Sequence, residues 1–257
     1  MHDFKLNKLI YRTEGKLARV ILNRPEALNA FSLELVAELD AISQLIENDR
    51  DIRVIAITGA GRALSAGIDL KALSRGEIDH AYLVQWERFL HRLETMDKVV
   101  VCLCHGFFIG GGLQLALACD IRVATASAKT GIPAVKEGLI PSLGPWRLAR
   151  FIGLGRARKL TLLGNLIDGK EAHDIGLVDH LVGEDNAEAE FEKILQEYVA
   201  CTGAAALGSK QLMARSFDPS FEQVHDYYLE LQRKVMDSED LKEAQAAFRQ
   251  NREPVWK

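Results

Sequence analysis

The chain has 257 residues, enough to bury a sizeable core as one large domain or as one domain with an appendage. It carries 32 Lys and Arg against 36 Asp and Glu, a net charge of −4 without a basic block, which argues against nucleic-acid binding. No apolar run approaches the ~20 residues of a membrane span, and the N-terminus does not resemble a signal peptide, so we expect a cytoplasmic protein.

Predicted strands and helices alternate along the first hundred residues. Lys8–Tyr11 and Leu17–Leu22 flank a turn and predict a hairpin. Ser32 is a good N-cap for a helix whose apolar residues recur at helical spacing, and Val54–Thr58 reads as a short buried strand. A long amphipathic helix is predicted at His80–Met96. This alternation favours an α/β fold with parallel βαβ units.

The central stretch of the chain combines a strand, a glycine turn and a helix. The apolar run Val99–Cys104 predicts a buried strand, Gly110–Gly112 a turn, and Leu113–Cys119 a buried helix, followed by a strand at Ile121–Ala124. A helix N-terminus after a glycine turn presents free backbone N–H groups and the positive end of the helix dipole. Such a turn suits a phosphate or a developing oxyanion, although a plain tight turn without a ligand is the alternative.

A second loop of small residues follows the other buried strand. Val54–Thr58 leads into Ser65–Asp69, just as Val99–Cys104 leads into Ile109–Gly112. If the two strands are neighbours, their loops lie at the same end of the sheet, and one N–H group from each can face a common oxygen. Two such donors would form an oxyanion hole.

The second half of the chain changes in character at about residue 185. Thr130–Trp146 holds three prolines and three glycines and is predicted to be a shaped loop. Short helices at Arg147–Ile152, Ala157–Leu163 and Lys170–Ile175 precede a brief strand at Leu177–Val182. The remaining pattern is helical, at Ala187–Tyr198, Ser209–Arg215, Phe221–Met236 and Ser238–Asn251. We therefore divide the chain into a core, residues 1–184, and a helical region, residues 185–257.

Several segments together resemble the enoyl-CoA hydratase/isomerase, or crotonase, superfamily. They cover essentially the whole chain in order: NRPEALNA at Asn23–Ala30, SAGIDLKAL at Ser65–Leu73, HGFFIGGGLQLALACD at His105–Asp120, IPAVKEGLIP at Ile132–Pro141, DIGLV at Asp174–Val178 and the C-terminal SEDLKEAQAAFRQNREPVWK. The resemblance implies an α/β fold, a spiral of ββα turns whose C-terminal helical region builds homotrimers, often paired into hexamers.

The resemblance also implies a ligand and its site. Family members bind acyl-CoA thioesters, so coenzyme A would be part of the substrate, and neither a separate cofactor nor a metal is expected. By position, the backbone N–H groups of Ile68 and Gly111 would hold the thioester enolate. Further substrate contacts are expected at Arg24, Ala27, Leu28, Ala66, Gly67, Asp69, Lys71, Gly110, Ala134, Ser142, Trp146 and Lys257.

Two positions depart from the family's hydratase pattern. The resemblance implies a glutamate two residues after the glycines and another directly after the proline of the downstream loop, where this chain has Gln114 and Ala134. Glutamine cannot exchange a proton near neutral pH, and alanine has no polar group. We therefore expect poor hydration of crotonyl-CoA. Gln114 could orient a water or a substrate carbonyl, mark a site that binds without turnover, or have no role.

Other residues near these positions are weaker candidates. Glu137 is the carboxylate nearest in sequence to Ala134, but an extended backbone there would place it on the opposite face. His105 at the strand end is expected to make a structural hydrogen bond. Ser142 lacks an evident histidine partner for nucleophilic catalysis, and Asp69 is expected to shape its loop.

Two functional hypotheses follow. The first is an enzyme that stabilises the enolate of an acyl-CoA thioester for isomerisation, decarboxylation or an unusual hydration. The second is a catalytically silent paralogue that binds acyl-CoA or forms a complex. For assembly, a homotrimer or a dimer of trimers is expected, with apolar tail positions Phe221, Val224, Tyr228, Leu231 and Val235 either in an interface or in internal packing.

Overall fold

The chain folds around a six-stranded sheet, seen in a computed structural model that describes residues 6–202, 204–214, 220–222, 225–226, 229, 233, 236–237 and 239–252. In spatial order its strands are β1 (Leu9–Glu14), β2 (Leu17–Leu22), β3 (Val54–Gly59), β4 (Val99–Cys104), β6 (Ile121–Thr125) and β9 (His180–Val182). β1 and β2 form the predicted antiparallel hairpin, and every other pair is parallel.

A three-stranded sheet stands beside the first one. It consists of β5 (Phe107–Ile109), β7 (Lys129–Gly131) and β8 (Ile167–Asp168), in the order β5-β7-β8. None of these strands was expected from the sequence, because two or three residues are too few to show the period-2 alternation that identifies a strand.

Helices cover the main sheet on both faces. Their bounds are α1 (Leu33–Asn48), α2 (Leu70–Ser74), α3 (His80–Thr95), α4 (Gly111–Ala118), α5 (Gly144–Leu163), α6 (Gly169–Asp174), α7 (Ala187–Cys201), α8 (Ala204–Ala214) and α9 (Glu239–Gln250). The predicted N-cap of α1 is confirmed, since the Ser32 hydroxyl accepts a hydrogen bond from the Leu35 N–H at 3.3 Å. Asp79 caps α3 in the same way, accepting from Tyr82 N–H.

The core lies in two layers, one on each face of the main sheet. On one face α1, α3 and α4 pack against the strands through a cluster that includes Leu39, Phe89 and Leu115. On the other face, Phe191 of α7 and Leu207 of α8 pack against strand residues such as Val54 and Val101. The division at residue 184 is therefore a change in composition, while the helices α7 and α8 share a hydrophobic layer with the sheet.

The stretch predicted as one shaped loop, Thr130–Trp146, contains more regular structure than expected. It holds most of β7, a 3₁₀ helix at Pro133–Glu137 and the first turn of α5. Two of its three prolines begin a helix instead of breaking one: Pro133 stands in the first turn of the 3₁₀ helix and Pro145 in the first turn of α5. α5 spans both short helices predicted after residue 146, with a break at Gly153 (φ 76°, ψ 156°).

The C-terminal tail is described in part. α7, α8 and α9 agree with predicted helices, whereas Val224, Tyr228, Leu231, Val235 and Lys257 lie outside the described residues.

Within the described ranges, no helix has both the length and the apolar character needed to cross a membrane.

Candidate active site

The two loops that follow β3 and β4 pack directly on each other, as expected for neighbouring parallel strands. Ser65 donates its N–H to the Phe107 oxygen at 2.9 Å, and the Ile109 N–H donates to the Ser65 oxygen at 3.1 Å. Gly67 sits at the crossing point with φ +98°, and a Cβ there would lie 2.6 Å from the Ile109 oxygen and 3.2 Å from the Gly111 nitrogen. Only glycine fits this contact, because a side chain would push the loops apart.

The backbone N–H groups of Ile68 and Gly111 lie at this junction, and neither has an acceptor among the described residues. Phe31 forms hydrogen bonds with the residues on either side of Ile68. Its N–H donates to the Gly67 oxygen at 2.7 Å, and its oxygen accepts from the Asp69 N–H at 3.2 Å. Gly111 is the first residue of α4, where an N–H has no partner within the helix. Both residues line one cavity.

That cavity has a volume of about 220 Å³ and lies between the loop junction, α3, the 3₁₀ helix and α9. Its wall is mainly apolar and aromatic, with a few polar groups, which is typical of a site for a small organic ligand. The lining residues include Phe31, Ile68, Leu73, Tyr82, Trp86, Gly110, Gly111, Gln114, Ala134, Glu137, Leu139, Ser142, Met236, Leu241 and Gln245.

Gln114 lines the same cavity as Ile68 and Gly111, and contacts with other residues hold its side chain in place. It lies in α4 and is buried, and its Oε1 accepts a hydrogen bond from Trp86 Nε1 at 3.4 Å. Gly144 packs against it so closely that a Cβ at Gly144 would lie 3.0 Å from the Gln114 Cγ. Trp86 was not singled out in the sequence, although it stands four residues after Tyr82 on the predicted inward face of α3. That spacing was the signal that could have identified it.

The backbone after Pro133 is helical and not extended. The prediction that Glu137 lies on the opposite face from Ala134, which assumed an extended backbone, is therefore wrong. Residues 133–137 form a 3₁₀ helix, in which side chains three residues apart lie on the same side. Ala134 and Glu137 therefore share a face, and both line the cavity. The Gly138 that follows has φ +72° and ends the turn.

Glu137 brings a carboxyl group into this wall. Burial raises its pKa from 4.5 to about 7, because water is largely excluded from the charged form. No hydrogen bond or ion pair within the described part of the chain offsets that cost, and the side chain stays half-buried at the cavity. A carboxyl group with a pKa near neutrality can both accept and donate a proton.

Asn29 organises the first loop, a role that was not identified from the sequence. Its side-chain Nδ2 donates to the oxygens of Ala60 (3.0 Å) and Ala63 (2.8 Å), and its Oδ1 accepts from the Arg24 N–H at 2.8 Å. Its φ of 55° is unusual for a residue other than glycine, and asparagine tolerates this region better than most residues. Its position within the motif Asn23–Ala30 was the only signal available.

The residues expected to contact coenzyme A lie outside the cavity wall, near its loops. The Ala66 N–H donates to the Leu28 oxygen at 2.9 Å, so the two predicted contact segments touch. Arg24 donates to Asp69 at 3.1 Å, while Lys71 is exposed. Burial raises the pKa of Asp69, but hydrogen bonds from Ala72 N–H and Arg24 outweigh it and lower the pKa overall. Asp69 caps α2, as expected for a residue that shapes its loop.

A buried ion cluster fixes the loop on the far side of the cavity. Arg147 pairs with Glu87 at 2.8 Å and with Glu94 at 2.7 Å, and both Arg147 and Glu87 are almost fully buried. Glu87 also accepts the Leu143 N–H at 2.8 Å, which holds Ser142 in the cavity wall. Burial raises the pKa of Glu94, but the Arg147 charge and hydrogen bonds from His91 and Arg147 together outweigh it and lower that pKa to about 2.

Two further candidates lie away from the cavity. Trp146 was expected in the pocket, but it is half-buried on α5 with the Arg150 guanidinium 3.6 Å from its ring centroid. Trp146 lies in the first turn of α5, which directs its side chain away from the cavity. Because a loop was predicted there from the sequence, this direction could not be predicted. The His105 Nε2 atom lies 3.2 Å from the Gly61 oxygen, which agrees with the structural hydrogen bond predicted for this residue.

Comparisons with known proteins agree with this architecture. A profile of the enoyl-CoA hydratase/isomerase family matches residues 12–257. The chain belongs to this family. It is 32% identical to the short-chain-enoyl-CoA hydratase of Clostridium acetobutylicum over 252 residues, which cover 96% of this chain and 97% of the relative.

Solved structures of the enoyl-CoA hydratase/isomerase family have the same fold. The carnitinyl-CoA hydratase from Mycobacterium avium matches with a TM-score of 0.85 and 30% identity, over 97% of this chain and 98% of that one. An enoyl-CoA hydratase/isomerase from Xanthobacter autotrophicus matches with a TM-score of 0.84 and 28% identity, over 95% and 94% of the two chains. The crotonase-like fold expected from the sequence motifs is therefore confirmed.

Proposed function

We propose that this protein is an isomerase of acyl-CoA thioesters, in which Glu137 is the single proton carrier. The observation that carries the proposal is the position of Glu137 in one cavity wall with Ile68 and Gly111. Water addition of the usual kind needs two positioned carboxyl groups, and Gln114 and Ala134 supply neither. Moving a double bond needs only one group that first takes a proton and then returns it.

In the proposed reaction, the Glu137 carboxylate removes a proton from C2 of a 3-enoyl thioester. The C–H electron pair forms a C1–C2 double bond and the carbonyl π pair moves onto the thioester oxygen, which gives a dienolate. When C4 is later protonated, the carbonyl re-forms and the C1–C2 pair becomes the C2–C3 double bond. The thioester oxygen then carries negative charge, which the N–H groups of Ile68 and Gly111 stabilise by several kcal/mol. The Glu137 carboxylic acid returns the proton at C4. The product is the 2-enoyl thioester, with no gain or loss of atoms.

The loops around the cavity have proposed roles in binding. Backbone groups of Arg24, Ala27 and Leu28, together with Ala66 and Lys71, would contact coenzyme A where the two loops meet. Their proximity is supported by the hydrogen bond from the Ala66 N–H to the Leu28 oxygen. Gln114 would orient the thioester or a water through its amide, which Trp86 holds in one position.

For assembly, we propose a closed homotrimer, alone or paired. Exposed leucines support it, concentrated between residues 154 and 166: Leu154 (56%), Leu162 (71%), Leu163 (55%) and Leu166 (44%). Exposed apolar side chains that lie close together are typical of an interface, because burial against another subunit removes them from water.

The test of the function is proton exchange and isomerisation. Wild-type protein, Glu137→Gln and the control Glu188→Gln, an exposed acid on α7, are incubated with 3-octenoyl-CoA, and with octanoyl-CoA in D₂O. We expect wild type and control to form the 2-enoyl product and to incorporate deuterium at C2. Glu137→Gln should lose roughly 10²–10⁴-fold in rate. Equal rates for Glu137→Gln would exclude this role, and binding without any exchange would favour a catalytically silent acyl-CoA-binding protein.

A further inference from the structure

The amide of Gln114 has one orientation in the cavity wall. Its Oε1 accepts a hydrogen bond from Trp86 Nε1 at 3.4 Å, and an indole N–H can donate but not accept. The oxygen and nitrogen of the amide therefore cannot exchange places, because Nε2 would then face a second donor. Contact with Gly144, where a Cβ would lie 3.0 Å from the Gln114 Cγ, leaves the side chain little room to move. Position 114 thus presents an N–H donor to a ligand, whereas a carboxylate there could only accept.

The Gln114 Nε2 has no acceptor among the described residues. Other polar side chains of the wall already donate within the protein. The Tyr82 hydroxyl donates to the Phe31 oxygen at 3.0 Å, and the Gln245 Nε2 donates to the Leu73 oxygen at 3.5 Å. Gln114 is 5% exposed, so bulk water reaches its amide poorly. A buried donor without an acceptor costs free energy, and a ligand oxygen that accepts from it removes that cost.

We propose that Gln114 selects acyl groups that carry a neutral oxygen acceptor, a ketone or a hydroxyl group, at C5. This inference rests on the proposed acyl-CoA function. Gly111 and Gln114 lie three residues apart on one side of α4, about 4.5 Å apart along its axis. With the thioester oxygen at the Gly111 N–H, the amide would meet the acyl chain beyond its first carbons. C2 to C4 carry the moving double bond, so C5 is the first carbon that can bear the oxygen without entering the reaction.

The charges of the cavity wall favour a neutral oxygen over a carboxylate. Among the lining residues that the structure describes, the charged ones are Asp79 and Glu137, and both are acidic. A carboxylate at C5 would lose its water and lie near negative charge without a cation to offset the cost. A ketone or hydroxyl oxygen accepts the Gln114 N–H without that penalty.

Three acyl-CoA thioesters that share carbons C1 to C4 test the proposal without requiring turnover. Hexanoyl-CoA has no oxygen at C5, 5-oxohexanoyl-CoA has a ketone there, and glutaryl-CoA has a carboxylate that replaces the ketone's methyl group by a charged oxygen. Isothermal titration calorimetry of the wild type should show 5-oxohexanoyl-CoA binding about tenfold more tightly than hexanoyl-CoA, the effect of one hydrogen bond. Glutaryl-CoA should bind more weakly than 5-oxohexanoyl-CoA.

Variants assign this preference to the oriented amide. Gln114→Met keeps the length of the side chain without its donor, so the ratio of the two affinities should fall to about one. Trp86→Phe removes the group that orients the amide and should also lower the ratio. Gln196→Met, at an exposed glutamine of α7, is the control and should keep it. A substitution that merely loosens the cavity weakens both ligands alike and leaves the ratio unchanged. Circular dichroism checks the folding of each variant.

Several results would overturn the inference. Equal wild-type affinities for 5-oxohexanoyl-CoA and hexanoyl-CoA, or a ratio that persists in folded Gln114→Met, would exclude this role of Gln114 and leave the proposed isomerase intact. Glutaryl-CoA as the tightest ligand would exclude the preference for a neutral oxygen. Failure of the wild type to bind any of the three thioesters would overturn the proposed function as well.

Discussion

Ala134 and Glu137 lie on the same side of one 3₁₀ turn, so the Glu137 carboxyl group lines the cavity together with the Ala134 methyl group. The resemblance to the hydratases places a glutamate where Ala134 stands. Glu137, three residues later in the 3₁₀ helix, lines the same cavity wall as Ala134. The cavity wall therefore holds the Glu137 carboxyl group at a position different from that of the hydratase glutamate, and burial raises its pKa to about 7.

The first prediction concerns hydration. Wild-type protein should hydrate crotonyl-CoA poorly, and Gln114→Glu combined with Ala134→Glu should raise that rate by roughly 10²-fold or more. A glutamate at position 114 keeps an acceptor for the Trp86 indole, and Ala134 faces the open cavity. Spectrophotometric assay of the double variant and both single variants measures the gain, and each single variant should stay near wild type. A folded double variant without any gain would argue against the oxyanion hole.

The second prediction is the pH dependence of isomerisation. Glu137 must be ionised to remove a proton, and its pKa is raised to about 7 by burial. The value of kcat/KM should therefore fall as the pH drops below about 7 and level off above about 8. Initial rates between about pH 5 and pH 9 test this, with circular dichroism at each pH as the control for unfolding. A flat profile across neutrality would contradict the assignment.

The third prediction concerns stability at the same residue. The folded-state pKa of Glu137 lies near 7 against 4.5 in the open chain, so wild type loses stability as pH rises through that interval. Glu137→Gln should match wild type near pH 4 and exceed it above pH 8, by at most about 3.4 kcal/mol and by less where solvent screens the half-buried side chain. Urea unfolding at both pH values measures the difference, and Glu188→Gln should show none. Equal stability of Glu137→Gln and wild type at pH 8 would contradict the conclusion that burial raises the pKa of Glu137.

The fourth prediction concerns the ion cluster behind the Ser142 loop. Arg147→Met removes the cationic partner of the buried Glu87 carboxyl group, which should lower the free energy of unfolding by about 3–5 kcal/mol. Arg158→Met, an exposed arginine on α5, is the matched control and should change it little. Adding Glu87→Gln to Arg147→Met should recover part of the loss. A loss below about 1 kcal/mol would show that the cluster is not needed for stability.

The fifth prediction concerns assembly. Leu162 is 71% exposed and belongs to the leucines between residues 154 and 166. Leu162→Glu should lower the mass measured by light scattering from that of a closed oligomer towards that of a monomer, because a charge would be buried in the interface. Leu33→Glu, at an exposed position on α1, should keep the wild-type mass. A monomeric wild type would refute the proposed trimer.

Much of the fold could be predicted from the sequence, because the relevant signals are local. The turn before Leu17–Leu22, the cap at Ser32 and the apolar run Val99–Cys104 each act within a few residues of chain. The parallel order of β3 and β4 followed from the helix between them, and it brought the two loops to one end of the sheet. The motifs then identified the family.

The tertiary structure decided which side chains meet at the cavity. Whether Glu137 joins Ala134 depends on how the chain winds after Pro133, which neighbouring α5 and α9 help to determine and no local pattern shows. The contact of Gln245 with Leu73 spans 172 residues of sequence. Periodicity reports which face of a segment is buried, whereas the position of one segment relative to another depends on packing across the whole chain. The sequence thus predicted the loops of Ile68 and Gly111 as the site, and the tertiary structure placed both residues and Glu137 in the wall of one cavity.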